Sequence, residues 1–130
     1  MDKRILNTTE APAAIGPYSQ GISGRGEICF VSGQLPIVPE TGKFAGATIE
    51  AQTEQSLKNM EAVLKAGDMN LRDVVKTTVL LSDIQNFGKM NEVYAQFFKE
   101  ECPARAAFEV AALPKGALVE IEAVALKETK

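Results

Sequence analysis

Two segments of the chain place their apolar residues at helical spacing, and short strand-like segments surround both. The first is predicted to run from Ile49 to about Ala66, with Thr48 as its N-cap and Gly67 as its stop. The second follows Asp83 as its cap and ends before Pro103. Their apolar stripes are Thr53, Leu57, Met60, Val63 and Leu64 in the first helix, and Phe87, Met90, Tyr94, Phe97 and Phe98 in the second. Because each helix has one stripe to bury, both are expected to pack on a sheet.

The remaining apolar segments have the length and composition of β-strands. The predicted strands are Tyr18–Ser23, Glu27–Ser32, Val74–Leu81, Ala106–Val110 and Leu118–Leu126. Residues 11–17 are too rich in Pro and Ala for a strand and are predicted to form an ordered loop, while Gly33 and Pro36 should break the second strand. Two helices cannot cover both faces of a four- to six-stranded sheet. The order of helices and strands along the chain therefore predicts an α+β fold in one domain over residues 1–130, with both helices side by side on one face of the sheet.

The last strand shows what the other face of the sheet must be like. Alternation directs Val119, Ile121, Ala123 and Ala125 to the helices, and Leu118, Glu120, Glu122, Val124 and Leu126 to the opposite face. Val74, Lys76, Thr78 and Leu80 of the middle strand are predicted to share that opposite face. Such a surface is too apolar for water and too charged for the core of a monomer. It favours oligomerisation through the sheet.

The composition excludes several classes of chemistry. The chain has no histidine, which excludes imidazole bases and metal sites built on His ligands, so no metal or cofactor is expected. Its net charge of −3 and pI near 5.0 argue against nucleic acid as a partner. Cys29, expected to be buried, and Cys102, in a loop, are too few for a disulfide framework. Without a signal peptide or a membrane-length apolar run, the expected location is the cytoplasm.

Arg105 is the first candidate functional residue, because it lies among apolar neighbours where a strand begins that should be near the centre of the sheet. A guanidinium there needs an anionic partner, and its planar fork suits a small carboxylate, although a solvated surface arginine is the alternative. Glu120 and Glu122 lie on one strand face and have apolar neighbours. Each has two possible readings, a partly buried acid that transfers protons or a residue on a solvent-facing edge. Weaker candidates, each with an equally ordinary structural reading, are Tyr18, Asn91 and the segment Ser32-Gly33-Gln34.

Six segments together resemble the RidA (YjgF) family. They are Ala13–Gly21, Val31–Pro36, Val75–Val79, Met90–Tyr94, Pro103–Arg105 and Val119–Ala123. The resemblance implies the chorismate-mutase-like α+β fold. It also implies a homotrimer whose sheets face a central barrel, with a ligand pocket at each of the three subunit interfaces.

The family's activity, implied here by the resemblance, is the hydrolysis of 2-imino acids or their enamine tautomers to 2-oxo acids and ammonia. These substrates, among them 2-iminobutanoate and 2-iminopropanoate, arise from reactions of pyridoxal-phosphate enzymes. By the same resemblance, Arg105 would bind the substrate carboxylate, and Glu120 with the backbone at Gly33 would orient the attacking water. The implied pocket residues are Tyr18, reaching in from the neighbouring subunit, Ser32, Asn91 and the backbone of Ala107 at the imine nitrogen.

The chain departs from the family at Ala107, where members commonly have cysteine. If the thiol only packs, deaminase activity survives its loss, whereas a direct role would alter activity or preference. Two other functions are also compatible with the sequence. One is a non-catalytic sensor or chaperone-like protein that binds small carboxylates. The other is an endoribonuclease that inhibits translation, for which the acidic composition provides no basic groove.

Overall fold

The computed structural model describes residues 3–128 and has two helices and eight strands in that range. The helices are α1 (Ile49–Ala66) and α2 (Phe87–Phe97), and the strands are β1 (Lys3–Leu6), β2 (Gly21–Gly24), β3 (Glu27–Gln34), β4 (Ile37–Val38), β5 (Lys43–Phe44), β6 (Val74–Leu81), β7 (Ala104–Glu109) and β8 (Val119–Lys127). The main sheet has the order β3-β8-β6-β7, with β6 and β7 parallel and the other pairs antiparallel. Both helices pack on one face of this mixed sheet, which confirms the predicted α+β arrangement.

Helix α1 has the predicted bounds because its ends are capped as the sequence indicates. The Thr48 hydroxyl accepts a hydrogen bond from the Ala51 amide, and the Gly67 amide donates to the Leu64 carbonyl. The prediction that Val63 belongs to the buried stripe is wrong, since this side chain is 40% exposed. At about 100° per residue, Val63 lies roughly 90° from the centre of the stripe, beyond the face that meets the sheet.

Helix α2 begins later than predicted. The Asp83 carboxylate accepts from the Gln85 amide and caps a 3₁₀ turn over Ile84–Asn86, and α2 follows directly at Phe87. Of its predicted stripe, Met90 and Tyr94 are fully buried, whereas Phe87 and Phe97 are only partly buried.

The alternation in β8 is confirmed, because the side chains that it directs to the helices are buried. The prediction for Val74 is wrong: it belongs to the helix side and is 2% exposed. The pairing of β6 with β8 shifts between Val74 and Lys76, and this bulge adds one residue that reverses the face of Val74. Beyond the bulge, Lys76, Thr78 and Leu80 lie on the open face as predicted.

Several strand ends differ from the prediction. β2 begins only at Gly21, and it pairs with β1, which was not predicted. β3 continues to Gln34, because its register shifts around Ser32 and Gly33 in a bulge that bends the strand without ending it. Both cysteines are half-buried free thiols; Cys29 is thus less buried than expected.

Strand β7 begins at Ala104, which places Arg105 inside the strand, and it is an end strand of the main sheet instead of a central one. On its outer side a single parallel bridge between Ser19 and Ala104 connects it to the segment that leads into β2. β7 was expected nearer the centre because its residues are apolar. Its apolar character instead reflects the cover that α2 and the segment before β2 give it.

The open face of the sheet is mixed in character, as predicted. It exposes large apolar side chains, among them Phe30 at 75% and Ile28 at 55%, beside the charged Lys76 and Glu122. A depression of about 360 Å³ lies between them, lined in part by Phe30, Ser32 and Glu122. Within residues 3–128 no helix is long and apolar enough to cross a membrane.

Candidate functional site

Arg105 projects from β7 toward α2. In the parallel register of β6 and β7 it lies opposite Thr77, whose buried side chain marks the helix side of the sheet. The Arg105 Nη1 donates a hydrogen bond of 2.6 Å to the Asn91 Oδ1 on α2. Three aromatic rings surround the guanidinium carbon, Tyr94 at 4.8 Å, Tyr18 at 5.4 Å and Phe87 at 5.5 Å between Cζ and the ring centroids.

This half-buried cation has no acidic partner among residues 3–128. Burial lowers the pKa of Arg105, and the nearby tyrosines oppose that effect. The ring faces stabilise the positive charge without occupying the in-plane N–H donors. Since Asn91 is the only residue among 3–128 that accepts a hydrogen bond from the guanidinium, the remaining donors can bind an anion.

The loop before β2 brings Tyr18 to Arg105. The Ser19 amide donates to the Pro103 carbonyl over 3.1 Å, and the Ser19 hydroxyl donates to the Cys102 carbonyl, so the loop is attached to the start of β7. A Cβ atom at Gly16 would lie 3.4 Å from the Asn91 Nδ2 and 3.8 Å from the Arg105 Nη2. Tyr18 therefore contacts the arginine of its own chain.

Glu120 lies on the other side of the sheet. It stands between the buried Val119 and Ile121 on β8, so its half-buried side chain points to the open face. There it lies against the β3 bulge, where a Cβ atom at Gly33 would overlap the Glu120 carboxylate. The bulge and the absence of a side chain at Gly33 allow this approach. Glu122, two residues on, is exposed and matches the solvent-facing reading.

The predicted site residues thus form two groups in one chain. Tyr18, Asn91 and Arg105 meet on the helix side, and Ala107, two residues along β7, lies on that side against the core. Ser32, exposed, and Gly33 accompany Glu120 on the open side. One chain therefore does not bring Arg105 and Glu120 together.

The sequence reasoning missed Phe87 and Tyr94 as neighbours of the arginine, because both were assigned to an apolar core stripe. Their spacing from Asn91 was an available signal. Phe87, Asn91 and Tyr94 follow the i, i+4, i+7 pattern of one helix face, so a candidate polar residue shared its face with two rings. No three His, Cys, Asp or Glu side chains within residues 3–128 are grouped as a metal site would require.

Residues 8–127 match the protein family described as Endoribonuclease L-PSP. The chain belongs to this family. The resemblance to the RidA (YjgF) proteins is confirmed, since this L-PSP family member is 48% identical over 125 residues to the human 2-iminobutanoate/2-iminopropanoate deaminase, covering 96% of this chain and 90% of the human protein. It is also 51% identical over 126 residues to a RutC family protein of Pyrococcus horikoshii, covering 97% and 99% of the two chains.

Solved structures of L-PSP family relatives have the same fold. Escherichia coli TdcF with bound serine is 41% identical with a TM-score of 0.76, covering 96% of this chain and 99% of TdcF. The Escherichia coli YjgF gene product is 43% identical with a TM-score of 0.76, over 96% and 99% of the two chains. The arrangement of two helices on a mixed sheet is therefore the family's own.

Proposed function

We propose that this protein hydrolyses 2-iminobutanoate and 2-iminopropanoate to the corresponding 2-oxo acids and ammonia. The observation that carries the proposal is the Arg105 guanidinium, half-buried among three rings, bound by one amide oxygen and without a carboxylate partner within residues 3–128. Relatives at 46% to 48% identity carry the name of this activity. TdcF was solved with serine, a small molecule that also has a carboxylate beside a nitrogen-bearing carbon.

Arg105 would hold the substrate by its carboxylate. The planar fork of a guanidinium can donate two parallel hydrogen bonds to the two carboxylate oxygens. Because these bonds form in a partly desolvated setting, they are stronger than in water and fix the plane of the adjacent imine. Asn91 holds one end of the fork, so the orientation is already set before the substrate binds.

Glu120 would perform the proton transfers. Water adds to C2 of the protonated imine, the C=N electron pair moves to nitrogen, and the carboxylate of Glu120 accepts the proton that the water loses. Glu120 then returns this proton to the nitrogen of the carbinolamine. The C–N bond breaks as the hydroxyl oxygen forms the C=O bond and gives its proton to the Glu120 carboxylate, which passes it to the departing ammonia as ammonium. One water has been consumed for each nitrogen released.

The proposed site requires two chains. Arg105 and Glu120 project from opposite faces of the sheet, so a small substrate held by one cannot reach the other in the same chain. The homotrimer implied by the resemblance would supply Glu120 from a neighbouring subunit. The exposed apolar side chains of the open face, including Ile28 and Phe30, supply the surface such an assembly buries.

The activity can be tested with the imine made in place. A pyridoxal-phosphate threonine dehydratase releases 2-iminobutanoate, and we expect the purified protein to accelerate the appearance of 2-oxobutanoate above the spontaneous rate. Binding of 2-oxobutanoate without acceleration would contradict the proposal and favour a sensor. Salt-sensitive RNA binding with cleavage, and no acceleration, would favour the endoribonuclease function.

Replacing Gly33 by alanine should reduce kcat while leaving the fold intact. The new methyl group would overlap the Glu120 carboxylate, and the flexible end of that side chain can move aside at small cost in stability. We expect a Tm within a few degrees of wild type and kcat lower by about one order of magnitude, since a displaced proton carrier loses most of its benefit. Gly88→Ala is the matched control, because a Cβ atom there meets no heavy atom within 4 Å. Unchanged kinetics for the Gly33 variant would separate the Gly33–Glu120 contact from the mechanism.

A further inference from the structure

The ring of Tyr94 is the nearest of the three to Arg105 and the most firmly held. Tyr94 is fully buried, and its ring centroid lies 4.8 Å from the guanidinium carbon. The Phe98 ring packs against it at a centroid distance of 4.7 Å and an interplanar angle of 36°. Tyr18 and Phe87, by contrast, lie farther from the guanidinium and are only partly buried.

Within residues 3–128 the hydroxyl of Tyr94 has one hydrogen-bond partner, Thr77, which is the neighbour of Arg105 in the sheet. The Tyr94 Oη and the Thr77 Oγ1 are 2.7 Å apart and share a hydrogen bond, with both side chains fully buried. Thr77 lies opposite Arg105 in the register of β6 and β7. The strand next to the arginine therefore anchors the ring on which the arginine rests.

The chemistry of this hydroxyl favours anchoring over proton transfer. Burial raises the pKa of Tyr94 to about 12, so the phenol keeps its proton throughout the neutral range. A side chain that served only to fill the core at this place could be phenylalanine, since a buried hydroxyl must first be paired to avoid a penalty. Here the hydroxyl pair links α2 to β6 directly beneath the cation.

We propose that Tyr94 is a positioning residue for Arg105, and that Thr77 fixes the Tyr94 ring so that the free edge of the guanidinium faces the substrate carboxylate. The proposal rests on the proposed function, because it assumes that Arg105 binds a carboxylate. The electron-rich face of the neutral ring stabilises the cation without a net charge of its own, and it leaves the in-plane donors open. The hydrogen bond to Asn91 then sets the rotation of the guanidinium group, and the Tyr94 ring sets how deeply the group lies against α2.

Tyr94→Phe and Thr77→Val each remove one hydroxyl and keep the shape of the side chain. We expect each to raise the Kd for 2-oxobutanoate about three- to tenfold, the range typical of losing one buried contact that orients a cation. KM for 2-iminobutanoate should rise in parallel while kcat stays within about twofold, because Arg105 contacts the carboxylate equally in the ground state and the transition state. The double variant should bind no more weakly than the weaker single variant, since both substitutions break the same bond.

Binding is measured by calorimetry on the folded oligomer, with Tm recorded for every variant and 2-oxobutanamide as the ligand without a charge. Thr53→Val is the matched control: Thr53 is a fully buried threonine of α1 whose hydroxyl has no partner within residues 3–128. Its Kd should equal that of wild type whatever happens to its Tm. If Tyr94→Phe fails to fold, Thr77→Val carries the test alone.

The outcomes separate the two proposals. A wild-type Kd in both hydroxyl variants, even with a lowered Tm, overturns the positioning role and leaves the deaminase proposal untouched. A wild-type protein that binds 2-oxobutanoate without hydrolysing the imine overturns the deaminase proposal, and the Kd series still decides the role of Tyr94. Weaker binding of the uncharged amide by the same factor would also overturn the positioning role, because the effect would then not act through the carboxylate.

Discussion

Replacing Arg105 by lysine should lower kcat/KM for 2-iminobutanoate by about a hundredfold or more. Lysine keeps the charge but donates from a single point, so it cannot form the two parallel bonds to the carboxylate. Losing a charge-assisted hydrogen bond in a desolvated place costs about 1.5 to 3 kcal/mol, which corresponds to a factor of roughly ten to more than a hundred. The ammonium would also lose the contact with Asn91 and the flat surface that the three rings offer.

The measurement is steady-state kinetics with imine generated in place, together with the Kd for 2-oxobutanoate. Arg72→Lys is the matched control, since Arg72 is exposed and its substitution should change neither value. The Arg105 variant should fold, because lysine retains most of the aliphatic stem and the partly buried position tolerates it. Turnover close to wild type by the Arg105 variant would contradict the assigned role.

The parts of the fold that local signals determine could be predicted from the sequence. Helix α1 has the predicted bounds because Thr48 and Gly67 act within one turn of its ends. The faces of β8 follow from strict alternation. The strand β1 was missed because its four residues, Lys3–Leu6, are strand-forming only when they pair with the distant Gly21–Gly24. The reversed face of Val74 depends on a bulge that the run of β-branched residues does not reveal.

The candidate site was predictable in its residues but not in its geometry. Arg105 and Glu120 could be selected because burying a charged side chain among apolar neighbours costs free energy unless the charge has a partner. Such residues are therefore candidates for ligand binding. Which sheet face each occupies depends on strand order and register, and these arise from contacts between distant segments. The contact between Arg105 and Tyr94 could not be predicted either, because apolar periodicity does not show which core residue lies next to a cation.

Replacing Glu120 by glutamine should lower kcat by about two to four orders of magnitude, the usual contribution of a positioned acid–base group. Glutamine keeps the shape of the side chain beside Gly33 and removes its ability to accept a proton. The Kd for 2-oxobutanoate should change little, because Arg105 binds the carboxylate and glutamine has nearly the same size and shape as glutamate. Glu122→Gln, on the same strand face but exposed, is the matched control and should retain full activity.

The two inactive variants can also be combined to test where the site is formed. If each site takes Arg105 from one chain and Glu120 from its neighbour, chains of Arg105→Lys and Glu120→Gln that are dissociated and reassembled together in equal amounts will form some intact sites. Random assortment gives an intact pair at about a quarter of the interfaces, so about a quarter of wild-type activity should return. The same two proteins mixed without dissociation should remain inactive. A reassembled mixture with no more activity than its components would place both residues in a site within one chain, against the arrangement on opposite faces of the sheet.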